Sequence, residues 1–153
     1  MKAVVQRVSS ARVRVGEEVV GEIGPGLCVL LGVARGDGRD EVKRLAHRIA
    51  RLRIFENEAG RFDRSLVDVG GEALVVSQFT LLADRKKRGG TQGNRPDFSE
   101  AASREVAEPL YERFCEALGE LGMHVEMGVF GARMQVEIVN DGPVTIILEV
   151  APA

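Results

Sequence analysis

Apolar and polar side chains alternate along the first residues of the chain. Val4, Gln6 and Val8 fall on one face and Val5, Arg7 and Ser9 on the other, the two-residue period of a strand. Residues 2–15 are therefore read as one strand. A turn at Gly16-Glu17-Glu18 leads to a short second strand, VVGEI. Gly24-Pro25-Gly26 then breaks the chain before LCVLLGV, whose unbroken apolar run marks a strand covered on both faces. From Asp40 the period becomes helical, with Val42, Leu45, Ala46, Ile49 and Leu52 on one side and Asp37 or Asp40 as the expected cap. Residues 60–71 read as a strand and loop ending at Gly70-Gly71, and ALVVSQFTLL as a second central strand. A second helix is expected to open at Asp97 or Ser99, with Ala102, Val106, Leu110, Phe114, Ala117, Leu118 and Leu121 as its stripe and a kink at Pro109. MHVEMGVFG reads as a short strand and turn, and ARMQVEIV is expected to pair with VTIILEV at the end.

About seven strands and two helices in mixed order point to an α+β fold, a curved antiparallel or mixed sheet or small barrel with two helices packed outside. The 153 residues form a single domain, 1–153, with no repeat or linker, and are enough to bury a real core. No apolar run approaches the roughly 18 residues of a membrane helix. The opening alternation lacks the apolar core of a signal peptide, so a soluble, cytoplasmic protein is expected.

Charge and the scarce reactive residues narrow the chemistry. The net charge of −2 excludes a general nucleic-acid binder held by its overall field. Any RNA contact would need a local patch, and Arg85, Lys86, Lys87, Arg88 and Arg95 supply a candidate. Cys28 and Cys115 lack paired spacing and read as buried thiols of a reducing compartment. His47 and His124 stand alone, so no metal site is expected.

Two stretches break the apolar pattern with polar or backbone-shaping residues. VVSQFTL ends an apolar strand on Ser77, Gln78 and Thr80. Either the hydroxyls satisfy a strand end or they face a ligand. Neither has an activating His, Lys or amine at a recognisable spacing, and no pair of carboxylates marks itself as an acid and base. NDGPVT, residues 140–145, prefaces an apolar strand with Asn, Asp, Gly and Pro, which by themselves describe an ordinary turn.

Together SQFTL and NDGPVT resemble the signature motifs of bacterial D-aminoacyl-tRNA deacylases. MKAVVQRV, DVGGEALVVSQFTL, RPDFSEAA and FGARM extend the resemblance over nearly the whole chain, while the loop RKKRGGTQGNRP is longer than usual there. The resemblance implies a homodimeric hydrolase without metal or organic cofactor, which cuts the ester between a D-amino acid, or glycine, and the 3′ end of tRNA. Its site would lie at the two-fold dimer interface, with Gly142 and Pro143 of one subunit, joined by a cis bond, inserted into the pocket of the other. Ser77, Gln78, Phe79 and Thr80 would carry catalysis, the backbone N–H groups of Phe79 and Thr80 forming an oxyanion hole. Thr80 as a nucleophile and activation by the tRNA 2′-hydroxyl remain alternative routes. Arg7 would hold the Gly-Pro segment unless it is simply an exposed strand arginine. Phe130 and Met134 would flank the terminal adenosine unless they belong to the core. A non-catalytic RNA-end binder and a small-molecule hydrolase or isomerase stay open as other classes.

Overall fold

The computed structural model describes residues 1–84, 87, 88 and 91–152. Its elements are β1 (Lys2–Val15), β2 (Glu18–Ile23), β3 (Gly26–Gly32), α1 (Arg39–Ala50), β4 (Phe55–Glu56), β5 (Phe62–Arg64), α2 (Leu66–Val69), β6 (Glu72–Ser77), a 3₁₀ turn (Phe79–Leu82), β7 (Lys87–Arg88), β8 (Thr91–Gln92), α3 (Arg104–Glu120), β9 (His124–Met127) and β10 (Gln135–Glu149). The principal sheet runs β10-β1-β3-β6-β9, with β2 also on β1. β3–β6 and β6–β9 are parallel, and the pairs of β1 are antiparallel.

β1 makes the curvature. Its first half pairs with β3 and its second half with β2, so β2 is carried across the sheet. At Gly21 a Cβ would stand 2.7 Å from the Met127 carbonyl oxygen. Only glycine permits that approach, and through it β2 closes on β9 to leave the sheet nearly a barrel.

The alternation within β3 and β6 separates two cores. Leu27, Val29, Ala73 and Val75 face the helices, packing with Leu45, Ile49, Phe114 and Leu118. Cys28, Leu74 and Val76 face the other way, into the space closed by β2, with Val8, Val13 and Ile23. The strand expected to be covered on both faces is so covered. Burial of apolar surface on both sides, at roughly 25 cal/mol per Å², makes β3 and β6 the rigid centre of the molecule.

The structure revises several sequence expectations. Asp37 does not cap α1. It accepts from the Ala34 N–H at 2.7 Å and pairs at 2.8 Å with the fully buried ammonium group of Met1. The N-cap is Gly38, whose N–H donates to Glu41 Oε2 at 2.7 Å. Within 60–71 a third helix, one turn long, forms where the Asp68 N–H donates to Ser65 Oγ at 3.2 Å and Gly70 closes the turn at φ 62°. The second long helix starts at Arg104, not at Asp97 or Ser99. The preceding backbone is used instead to bridge Asp84 to Asp97 and Ala34 to Ala101. α3 then continues through Pro109.

The last strand differs most. ARMQVEIV and VTIILEV do not pair with each other; both belong to β10 and pair with β1. The reason is that residues 141–144 form a bulge and not a reversal. Gln6 faces Thr145 and Val8 faces Asn140, which leaves four residues of β10 opposite Arg7 alone.

Candidate active site

The last ladder bond of β6 runs from the Gln78 N–H to the Leu31 carbonyl at 2.7 Å, and the chain then leaves the sheet in the 3₁₀ segment. The turn folds Leu82 over Gly32, where a Cβ would stand 2.5 Å from Leu82 Cδ2. The strand expected over ALVVSQFTLL therefore covers only its first part, and Phe79–Leu82 form a 3₁₀ turn instead. Phe79 and Thr80 occupy the first two positions of a helical turn, whose N–H groups have no intrahelical acceptor. The Leu81 N–H does have one, the Gln78 carbonyl at 3.2 Å. The result is two adjacent donors without an intrahelical acceptor beside an exposed Phe79.

Thr80 Oγ1 accepts from Gln78 Nε2. Its neighbour is thus an amide donor, which cannot take a proton from the hydroxyl. Ser77 and Phe79 line a cavity of about 130 Å³ with Val33, Ala102, Arg104 and Phe130. Phe98 braces the Phe79 ring edge-on, centroids 5.0 Å apart, and Phe130 leans on Tyr111 at 5.9 Å. Tyr111 is anchored by its hydroxyl, which donates to the Val75 carbonyl at 2.7 Å. Met134 lies elsewhere, under the turn at Gly128 and against the second core.

The other signature stretch is built around Arg7, which is 6% exposed despite its charge. Its Nε donates to the Asp141 carbonyl at 3.1 Å and Nη1 to the Ile54 carbonyl at 2.8 Å. Glu56 and the Asp141 carboxylate lie 3.6 and 3.7 Å away, so the buried cation is paired as burial requires. Asn140 spans the bulge: Oδ1 accepts from the Val144 N–H at 3.1 Å, and Nδ2 donates to Thr145 Oγ1 at 3.1 Å. Gly142 has φ 131° and joins Pro143 through a cis peptide bond. A Cβ there would stand 2.7 Å from Val144 Cγ2 and 3.0 Å from Arg7 Nη2. Asp141, Gly142 and Pro143 are exposed, so the braced bulge faces away from its own core.

The structure does not bring the two stretches together within one chain. On their shared neighbour β3, Arg7 pairs with Leu27 and Ser77 with Leu31. That offset is roughly 13 Å along the strands, and three strand spacings of about 4.8 Å separate β10 from β6. Along the sheet they lie roughly 19 Å apart.

Other reactive groups are withdrawn from solvent or engaged. Burial pushes the Cys28 and Cys115 thiols up to about 12, too high for a thiolate nucleophile. His124 sits 3.2 Å from Glu126 and 3.8 Å from Glu72, at the far end of β9. Of the basic loop, Arg85, Lys86 and the side chains of Lys87 and Arg88 lie outside the described residues; Arg95 is exposed. Sequence reading missed Phe98, Ala102 and Arg104 on one side, and Ile54, Glu56 and the bracing role of Asn140 on the other. RPDFSEAA signalled Phe98 and Ala102 only through resemblance, nothing signalled Arg104, and nothing in the pattern linked Ile54 to Arg7.

The family pattern described as D-Tyr-tRNA(Tyr) deacylase matches residues 4–149. Curated relatives named D-aminoacyl-tRNA deacylase include one from Roseiflexus sp. (strain RS-1), 58% identical over 99% of this chain and 94% of its own. Another, from Anaeromyxobacter dehalogenans, is 58% identical over 97% of each chain. Among solved structures, one titled c-Myc DNA Unwinding Element Binding Protein superposes with a TM-score of 0.86 at 46% identity, covering 99% of both chains. A probable eukaryotic D-amino acid tRNA deacylase shares the fold, with a TM-score of 0.80 at 18% identity over 97% of this chain and 98% of its own. With the pattern matched from the first strand to the last and the relatives aligned end to end, the chain belongs to the D-Tyr-tRNA(Tyr) deacylase family.

Proposed function

We propose that the protein is an ester hydrolase that releases D-amino acids, and glycine, from the 3′ end of tRNA, with a site shared between two copies of the chain. The observation that carries the reading is the separation of the two signature stretches. One presents two N–H groups without an intrahelical acceptor beside a cavity, the other a braced, outward-facing backbone, and one chain holds them too far apart to touch the same ester. A two-fold dimer supplies each pocket with the partner's Gly142 and Pro143, both halves of the interface being the same surface. Among the described residues no strand pairs the outer edge of β10, which carries exposed Val139 and Ile147, and this favours such an assembly, since bare edges attract pairing.

In this arrangement the pocket reads only what D-amino acids share. Backbone carbonyls near the partner's Gly142 accept from the substrate amine, and the same backbone fills the space an L side chain needs. Glycine has no side chain to exclude and is hydrolysed too. Water attacks the ester carbonyl, and the oxyanion accepts from the N–H groups of Phe79 and Thr80. The intermediate then expels the ribose oxygen, which takes the proton that the water gives up. An aminoacyl ester is labile enough for positioning and oxyanion stabilisation to suffice. The neighbouring ribose hydroxyl assists the water, because Thr80 beside the Gln78 amide has no base. Phe130 packs on the terminal adenosine from the cavity wall; Met134 supports the turn that presents Phe130. The basic residues 85–88 serve the tRNA phosphates.

Release of amino acid from matched D- and L-aminoacyl-tRNA by the purified protein tests this. Hydrolysis of the D ester and of glycyl-tRNA, with the L ester spared, is expected. Binding without turnover would leave an RNA-end binder instead, and turnover of free esters alone a small-molecule hydrolase.

A further inference from the structure

Arg104, the first residue of α3, has no part in the chemistry above, yet it lines the same cavity as Ser77, Phe79 and Phe130. Its guanidinium lies 5.6 Å from the Phe130 ring centroid, within the range of a cation–π contact. Gly131 makes this placement possible: a Cβ there would stand 3.0 Å from Arg104 Nη1. Nε donates to Glu108 Oε2 at 3.0 Å, one helical turn on. The guanidinium thus meets the Phe130 ring and the Glu108 carboxylate, and passes close to Gly131. Neither Nη group has a hydrogen-bond partner among the described residues, although the side chain is 65% exposed. A long cation fixed at the rim of an aromatic cavity, with its fork free, is arranged to meet an anion attached to whatever enters the cavity.

We propose that Arg104 binds the phosphodiester on the 5′ side of the terminal nucleotide, fixing the acceptor end while the ester sits against Phe79 and Thr80. The inference rests on the deacylase reading and goes beyond it by naming the group that distinguishes a nucleotide from a nucleoside. A guanidinium suits this anion because two N–H groups can meet two phosphate oxygens at once. Phosphate contacts position and do not read the ester, so Arg104 should govern affinity and leave chiral choice alone.

The test compares D-aminoacyl-tRNA with D-aminoacyl-adenosine, which carries the same ester and base but no phosphate. Wild type, Arg104→Ala and Arg104→Lys are assayed on both, after thermal melting confirms that each variant is folded. On the tRNA substrate Arg104→Ala should raise KM about tenfold with kcat within twofold, as expected for one charge-assisted contact, and Arg104→Lys should recover part of the loss. The salt slope of log kcat/KM should flatten by about 0.7, as for one lost phosphate contact on a single strand. On D-aminoacyl-adenosine the variants should lose much less than on the tRNA substrate, and adenosine 5′-monophosphate should lose its advantage over adenosine as an inhibitor. An equal defect on both substrates would assign Arg104 to support of Phe130 and overturn the proposal, as would no defect on either. Wild type inactive on both would overturn the deacylase reading itself, a result distinct from either failure of Arg104.

Discussion

The two signature stretches interrupt strands in opposite ways. At Ser77 a central strand, buried on both faces, makes its last ladder bond from the Gln78 N–H to the Leu31 carbonyl and gives way to a 3₁₀ turn, whose first N–H groups, those of Phe79 and Thr80, have no intrahelical acceptor. At residues 141–144 an edge strand does not stop; it bulges outward and is held from behind by buried Arg7. The first borrows rigidity from the core and opens onto its own cavity. The second brings its brace with it and faces solvent. Neither alone encloses a substrate, which is why the proposed site takes one half from each of two copies.

The variants that separate the halves rank from large to small effect. Phe79→Pro removes one proposed oxyanion donor at the first helical position, where proline is tolerated. It should cost at least ~10² in kcat, as the loss of one such donor does, with little change in melting temperature. Gly142→Ala should come next, with a rate loss of roughly 30- to 100-fold. Its φ of 131° and the 2.7 Å approach to Val144 force the bulge to shift, and misplacement by about 1 Å can cost that much. Kinetics beside a melt will check both, and wild-type rates in Gly142→Ala would return the bulge to a passive turn. Arg7→Lys should lower the rate about tenfold and stability by about 1–3 kcal/mol, since an ammonium cannot serve the Asp141 and Ile54 carbonyls in the fork geometry. Denaturant melts read the second number. Thr80→Val should do least, below tenfold in kcat; an acyl-enzyme trapped on Thr80 would contradict that.

What was legible in the sequence divides along the same line. Period-two alternation gave β1, unbroken apolar runs gave the two-faced strands β3 and β6, and helical spacing gave α1 and most of α3, because burial on one face, on both faces or on one helical side imposes those patterns. Departures occurred where one residue's fate depends on a distant backbone. Leu81 and Leu82 continue the apolar run of β6, yet Leu82 turns over Gly32, and no local pattern announces that gap. The segment before Arg104 carries helical spacing but is drawn off to bridge Ala34 and Asp84. Ser65, Asp68 and Gly70 did announce a one-turn helix by their capping spacing, a signal available and unused. The bulge was visible as NDGPVT only in composition; that four residues would face Arg7 alone follows from register, which sequence spacing does not fix.

The shared site is tested most directly by complementation. Phe79→Pro and Gly142→Ala chains are co-expressed with different affinity tags, and the mixed species carrying both tags is isolated. In a two-fold dimer with crossed halves, one site of the mixed species unites an intact Phe79 turn with an intact Gly142 bulge, and the other collects both lesions. The account predicts about half the wild-type rate per dimer, with full preference for the D ester, from parents that are each nearly inactive. A mixed species no more active than its parents, or the absence of any mixed species because the active protein is a monomer, would contradict it.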